Sequence, residues 1–182
     1  MKKYIKTLIK LLFYPLKLIS FKKEFIIIQA TGPYIYSGNA RYLYEYLSKK
    51  KIKIFWYTKN ADIKNYLKKK KYKYIFKYNI FKLFYVTFKA KIVIDDGSTY
   101  FNFLNLLPRE TIRICMGHGV GNKKSMFDYI KNLTSNKPFD YVNFTSQIIT
   151  KKMEQKKVTK IKIIQLGYPK IDILKKKKQK KC

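Results

Sequence analysis

Short β-branched runs that are apolar without alternation, each followed by a stretch of helical spacing, constrain this chain more than any other feature. Ile26-Ile27-Ile28 and Ile92-Val93-Ile94 present no polar face, so a strand built from either must be covered on both sides. Strands are expected at Phe25–Gln29, Ile52–Tyr57, Tyr74–Phe76, Lys91–Asp95, Ile112–Met116, Tyr141–Thr145 and Ile161–Leu166. Helices are expected at Asn39–Lys49, Asp62–Lys70, Ile80–Phe88, Lys123–Leu133 and Gln147–Gln155. This alternation predicts an α/β fold, a Rossmann-like parallel sheet with helices on both faces. Ligands of such a sheet bind outside the carboxyl ends of its strands. The loops Ala30–Asn39, Asp95–Thr99 and Gly117–Lys124 are therefore the places to look for a site.

The size and apolar content fit one domain with a real core, since 47% of the 182 residues are hydrophobic. A formal charge of +32 points to an anionic partner such as a phosphate polymer, nucleic acid or acidic lipid. Yet only Arg41, Arg109 and Arg113 are arginines among 42 basic residues, and the abundance of Lys, Ile, Tyr, Phe and Asn is what an A/T-rich gene produces. Without guanine-reading arginines or a recognition-helix or finger motif, no specific nucleic-acid partner is expected. Cys115 and Cys182 lack CxxC spacing, so neither a metal site nor a disulfide framework is expected, and a reducing cytoplasm is the simplest setting.

Residues 1–23 form a separate unit. Ile5, Leu8, Ile9, Leu12, Leu16 and Ile19 follow helical spacing, while Lys3, Lys6, Lys10 and Lys17 fall on another face. The lysines interrupt the run too often for a signal peptide or a membrane span. The pattern is that of a basic amphipathic helix lying on an anionic membrane surface and kinked near Pro15, with packing on the rest of the protein as the other reading.

Each candidate loop carries its own chemistry. Ser37-Gly38-Asn39 precedes a helix, so Ser37 or Asn39 can cap it and leave backbone N–H groups for a phosphate. Asp95-Asp96-Gly97-Ser98 reads as a turn, because a metal would need a third ligand. The third loop, Cys115-Met116-Gly117-His118-Gly119-Val120-Gly121, holds the only histidine of the chain. Histidine titrates near neutrality, and Gly117 and Gly119 let a substrate come close to the ring. The glycines do not make GxGxxG, and Lys123-Lys124 does not complete a P-loop. A general base beside a cationic pair suits chemistry on a phosphorylated substrate, whereas the plainer reading is a structural histidine with solvated lysines. The candidate site is thus His118 as catalytic base, with Gly117, Gly119, Lys123, Lys124, Ser37 and Asn39 binding substrate, and without metal or cofactor.

Three segments in order carry a resemblance: Ser37-Gly38-Asn39-Ala40-Arg41-Tyr42-Leu43-Tyr44-Glu45-Tyr46-Leu47, then Met116-Gly117-His118-Gly119 with Lys123-Lys124, then Gly167-Tyr168-Pro169-Lys170-Ile171-Asp172-Ile173-Leu174. Together they resemble the CDP-glycerol glycerophosphotransferase family of teichoic-acid polymerases and primases. That family has an Asn-Ala helix with Tyr-Leu-Tyr-Glu-Tyr-Leu, Trp-His-Gly followed by Lys-Lys, and Gly-Tyr-Pro-Arg-Asn-Asp. Met116-Gly117 in place of the family's Trp, and Lys170-Ile171-Asp172 in place of Arg-Asn-Asp, suggest a distant member with an altered acceptor.

The resemblance implies that residues 24–174 are the N-terminal, acceptor-side domain of a GT-B glycosyltransferase-like fold. Such enzymes move glycerol or ribitol phosphate from CDP-glycerol or CDP-ribitol to a phosphopolyol or glycan acceptor of teichoic-acid or capsule type, releasing CMP. His118 would take the proton of the attacking hydroxyl, and Lys123 and Lys124 would hold acceptor phosphates. The family's position, peripheral on the cytoplasmic face of the cell membrane, agrees with the reading of residues 1–23. The family binds the donor largely in a second domain that also supplies a second histidine. The lysine-rich tail 175–182 is accordingly expected to mark a truncation, through slippage on adenine tracts, before a missing CDP-binding domain, so that this chain alone lacks donor binding. A membrane-surface module binding an anionic polymer, and half of another nucleotide-sugar GT-B enzyme, are the alternative functions.

Overall fold

The computed structural model of the chain describes residues 22–96, 107–117, 139–147, 150–151 and 161–172. In chain order its elements are β1 (Phe25–Gln29), α1 (Gly38–Lys49), β2 (Ile54–Thr58), α2 (Ala61–Lys69), β3 (Tyr74–Phe76), α3 (Ile80–Phe88), β4 (Ala90–Asp95), β5 (Ile112–Cys115), β6 (Tyr141–Asn143) and β7 (Lys162–Ile164). The strands make one seven-stranded sheet in the order β3-β2-β1-β4-β5-β6-β7. Every pairing is parallel. The chain winds outward from β1 to β3 and then returns to lay β4 on the other side of β1, so the strand order reverses between β1 and β4. That reversal opens a crevice at the carboxyl ends of these two strands.

The unalternating apolar runs are explained by two cores. Side chains along a strand point to opposite faces, so Ile27, Tyr57 and Val93 pack on one side with Val86 and Leu83 of α3. Ile28, Trp56 and Ile94 pack on the other, with Ala40 and Tyr44 of α1 and Leu67 of α2. Each fully buried Ile, Val or Leu contributes about 1.5–3 kcal/mol, and the central strands contribute on both faces. The predicted doubly covered parallel sheet is the observed one.

The ends of the elements depart from expectation for local reasons. β2 starts at Ile54 rather than Ile52, because Ile52 N–H still donates to Leu47 O at 3.3 Å and closes α1. Lys51 and Lys71, just beyond α1 and α2, have φ of 59° and 57°, a left-handed conformation that costs a residue with a Cβ about 1–2 kcal/mol. α2 and α3 begin where asparagines cap them. Asn60 Oδ1 accepts from Asp62 N at 2.7 Å and from Ile63 N at 3.3 Å, and Asn79 Oδ1 accepts from Lys82 N at 3.0 Å. β6 ends at Asn143, short of Thr145, and β7 ends at Ile164, short of Leu166, whose N–H donates to the Asn143 side chain at 2.8 Å in place of a backbone partner.

Among the described residues, no helix is long and apolar enough to cross a membrane. Residues 1–21, the expected helix Lys123–Leu133, most of Gln147–Gln155 and residues 173–182 lie outside the described residues.

Candidate functional site

The carboxyl ends of the strands gather polar side chains that are almost entirely buried. Gln29, Asp95, Asp96, Asn39 and Asn143 are 7% exposed or less, and groups so buried must find partners within the protein. Gln29 and Asp95 face each other across the β1–β4 pairing, and Gln29 Nε2 donates to Asp95 Oδ2 at 2.9 Å. The next residue, Asp96, receives Ala40 N–H on Oδ2 at 3.4 Å. The chain thereby places its own carboxylate at the N-terminus of α1, where the helix dipole favours negative charge.

This corrects one expectation. Ser37 does occupy the N-cap position with extended backbone, φ −156° and ψ −170°, but among the described residues its side chain makes no capping hydrogen bond. Asp96 takes that part from 56 positions further along the chain, and the exposed Ser37 hydroxyl is left at the crevice. The Asp95-Asp96 pair closes β4 where the sequence pattern ends the strand, and ties it to β1 and α1; Gly97 and Ser98, which would complete the expected turn, lie outside the described residues. Among the described residues, no group of three or more His, Cys, Asp or Glu side chains could hold a metal ion.

Gly38 is the point of closest approach. Its φ is +70°, and a Cβ there would overlap the Asp96 carboxylate oxygen. Gly38→Ala is therefore expected to destabilise the fold by about 2–3 kcal/mol, combining left-handed strain of about 1–2 kcal/mol with a weakened cap of about 1 kcal/mol. Urea denaturation measures this, and an unchanged midpoint would show that Asp96 does not hold α1.

The third loop leaves β5 at the same end of the sheet. Met116 N–H donates to Asp95 O at 2.7 Å, and Gly117 follows with φ +70°, where a Cβ would lie 3.1 Å from Asn143 O and 3.8 Å from the Tyr168 hydroxyl oxygen. Asn39 Nδ2 donates to Gly117 O at 3.5 Å, and Asn39 Oδ1 accepts from Lys170 N at 3.4 Å, across 131 positions of sequence. The three segments that the sequence marked separately are thus brought into contact at one end of the sheet: Ser37-Gly38-Asn39, Met116-Gly117 and Gly167-Tyr168-Pro169-Lys170. His118, Gly119, Lys123 and Lys124 lie outside the described residues, and Gly117 is the last described position before them.

The rest of the Tyr-Leu-Tyr-Glu segment is structural in its contacts. Tyr44 is fully buried and its hydroxyl donates to Lys73 O. Glu45 accepts from Arg41 Nε at 2.9 Å and from the Tyr36 hydroxyl at 3.1 Å. Burial, then the Glu45 charge, holds the Tyr36 hydroxyl well above its ordinary pKa, so it stays a donor. A cavity of about 530 Å³ opens at the opposite end of the sheet, against Arg109, Arg113, Asp140 and Lys162, away from the crevice. Sequence reasoning missed Asp96 as a cap and Asn143 altogether. A polar residue closing the short run Tyr141-Val142-Asn143 was the available signal.

A family model described as CDP-glycerol:poly(glycerophosphate) glycerophosphotransferase matches residues 12–182. Among solved structures, the chain is similar to the wall teichoic acid polymerase TagF with CDPG, at a TM-score of 0.60 and 15% identity, over 95% of this chain and 49% of that one. At that identity the likeness is one of fold, and the chain spans about half the length of that polymerase. No curated protein matches the chain.

Proposed function

Because this chain belongs to the CDP-glycerol:poly(glycerophosphate) glycerophosphotransferase family, we propose that it supplies the acceptor side of a polyol-phosphate transfer reaction. A hydroxyl of a phosphopolyol or glycan acceptor attacks the β-phosphorus of CDP-glycerol or CDP-ribitol. The new P–O bond forms as the bond to the bridging oxygen breaks, and CMP leaves. His118 takes the hydroxyl proton, Lys123 and Lys124 offset the charge of the acceptor phosphates, and Gly117 and Gly119 let the reactants approach. Phosphoryl transfer depends mainly on alignment and charge stabilisation, so the backbone that places the base matters as much as the base itself. Residues 1–23 hold the protein peripherally against the anionic cytoplasmic face of the membrane.

One observation carries this reading. The segments Ser37–Asn39 and Gly167–Lys170 close around Met116-Gly117, the residues that lead directly into His118. The test is release of CMP from CDP-glycerol with a glycerol-phosphate-primed acceptor, assayed with this chain alone and with the carboxyl-terminal half of a family polymerase added. CMP release that requires this chain is the expected result. Release no greater than that from the added half by itself would remove the reading.

A further inference from the structure

The arginines of this chain differ in what their guanidinium groups meet. Arg41 pairs with Glu45 at 2.9 Å. Arg109 and Arg113 make no ion pair among the described residues, and both line the cavity of about 530 Å³ at the amino ends of β5, β6 and β7. That volume falls in the range of about 300–1,000 Å³ usual for small-ligand sites.

Arg113 is out of place by the logic of a buried strand. β5 lies between β4 and β6, and its register sets Arg113 beside Val93, on the sheet face where Val93 is 0% exposed and clusters with Ile27, Val86 and Leu107. A charge on such a face needs an opposite charge or a full set of hydrogen bonds. Among the described residues, however, Arg113 Nε is buried and has no hydrogen-bond partner. The two carboxylates of the lining are engaged elsewhere. Asp140 Oδ2 accepts from the Arg113 backbone N–H at 2.8 Å, and Glu110 meets Lys23 at 3.5 Å. Lys162, exposed at the start of β7, adds a third cation to the lining.

The kind of cation matters as well as the charge. A guanidinium presents N–H donors in a planar fork that matches two oxygens of a phosphate, whereas an ammonium is a point charge. Only three of the 42 basic residues are arginines, and two of those three converge on this cavity.

We propose that Arg113 and Arg109, with Lys162, form a binding site for a phosphate group at the end of the sheet opposite the crevice. The site is separate from the transfer reaction and does not depend on it. Its ligand carries an ionised phosphate, supplied either by a soluble phosphate ester or by a lipid headgroup, and the Arg113 Nε edge is the buried donor that the phosphate satisfies.

Three arginines give three side-chain Nε–H resonances, and Arg41, tied to Glu45, is the internal reference. The full chain is titrated with inorganic phosphate and with sn-glycerol 3-phosphate, at an ionic strength held constant with sodium chloride. The Arg113 and Arg109 resonances are expected to shift and that of Arg41 to stay in place. Arg113→Lys keeps the charge and loses the fork, so affinity should fall about 10–100-fold, the range for hydrogen bonds to a charged group. Arg113→Met replaces an uncompensated buried charge with an apolar chain. It is expected to raise the thermal midpoint without phosphate and to lose the further rise that phosphate gives the native chain. Phosphatidylglycerol vesicles are the second arm: vesicle binding that weakens by the same factor in Arg113→Lys, with no response to the soluble phosphates, assigns the site to a headgroup. An Arg113 that responds to neither source overturns the proposal. So does unchanged affinity in Arg113→Lys, or a lowered midpoint in Arg113→Met, which would make the arginine a structural element of the fold.

Discussion

Trp56→Ala is expected to cost about 3–5 kcal/mol of stability, a larger loss than any other single truncation of the described core. Trp56 lies in β2, between β1 and the edge strand β3, and is 0% exposed. Its ring meets Tyr36 edge-on at 4.6 Å and Tyr44 at 5.5 Å, contacts that add about 0.5–1.5 kcal/mol each beyond area burial. Among the described residues, the buried Nε1 has no hydrogen-bond partner, so truncation removes apolar contact without breaking a polar bond. The transfer and cavity terms decide the size of the loss. Trp56→Phe, which keeps most of the ring volume, is expected to lose clearly less. Because Tyr44 is on α1, the cavity also loosens the helix whose first turn carries Asn39. Thermal unfolding measures the effect, at about 2–4 °C per kcal/mol for a chain of this size. A fall of only a degree or two for Trp56→Ala would mean that the aromatic cluster is not what seats α1 on the sheet.

The fold was legible because its strongest signals are local. The runs around Ile27 and Val93 need two covered faces, and β1, β3 and α3 are found at the boundaries their patterns predict. Element ends were less legible, since they depend on single partners. Ile52 looks like strand from its neighbours, but its amide is used to close α1. Leu166 looks like strand, but its amide goes to the side chain of Asn143. The candidate site was legible in part for the same reason. Ser37-Gly38-Asn39 and the Gly117 loop stand out as breaks in pattern, and their proximity follows from a parallel sheet. The role of Asp96 was not legible, because a cap supplied from another strand leaves no trace near the helix it caps. Asn143 was hidden by its context, where one polar residue after Tyr141-Val142 reads as the fading end of a strand. The Gly38–Asp96 contact shows why glycine stands just there, since no spacing rule marks a position where a carboxylate must come within van der Waals distance of a backbone α-carbon.

On the proposed function, and in the assay with the carboxyl-terminal half of a family polymerase added, His118→Ala is expected to lower CMP release by about 10²–10⁴-fold, the range that a positioned general base contributes. The loss should fall on kcat, because removing a proton acceptor weakens the transition state more than the bound acceptor does. The pH dependence gives the sign. A base must be neutral to accept a proton, so activity held by an imidazole falls as pH drops through a value that is about 6.5 for an unperturbed histidine. In His118→Ala that acidic limb should disappear, leaving a slow reaction that is flat across the same range. His118→Asn keeps a polar group of similar reach but cannot take the proton, so it should behave like alanine if the ring acts as a base. If the ring only orients the acceptor through a hydrogen bond, His118→Asn should recover most of the rate. The comparison of Asn with Ala therefore separates proton transfer from orientation, and the persistence of the acidic limb in both variants would assign the titrating base to another residue.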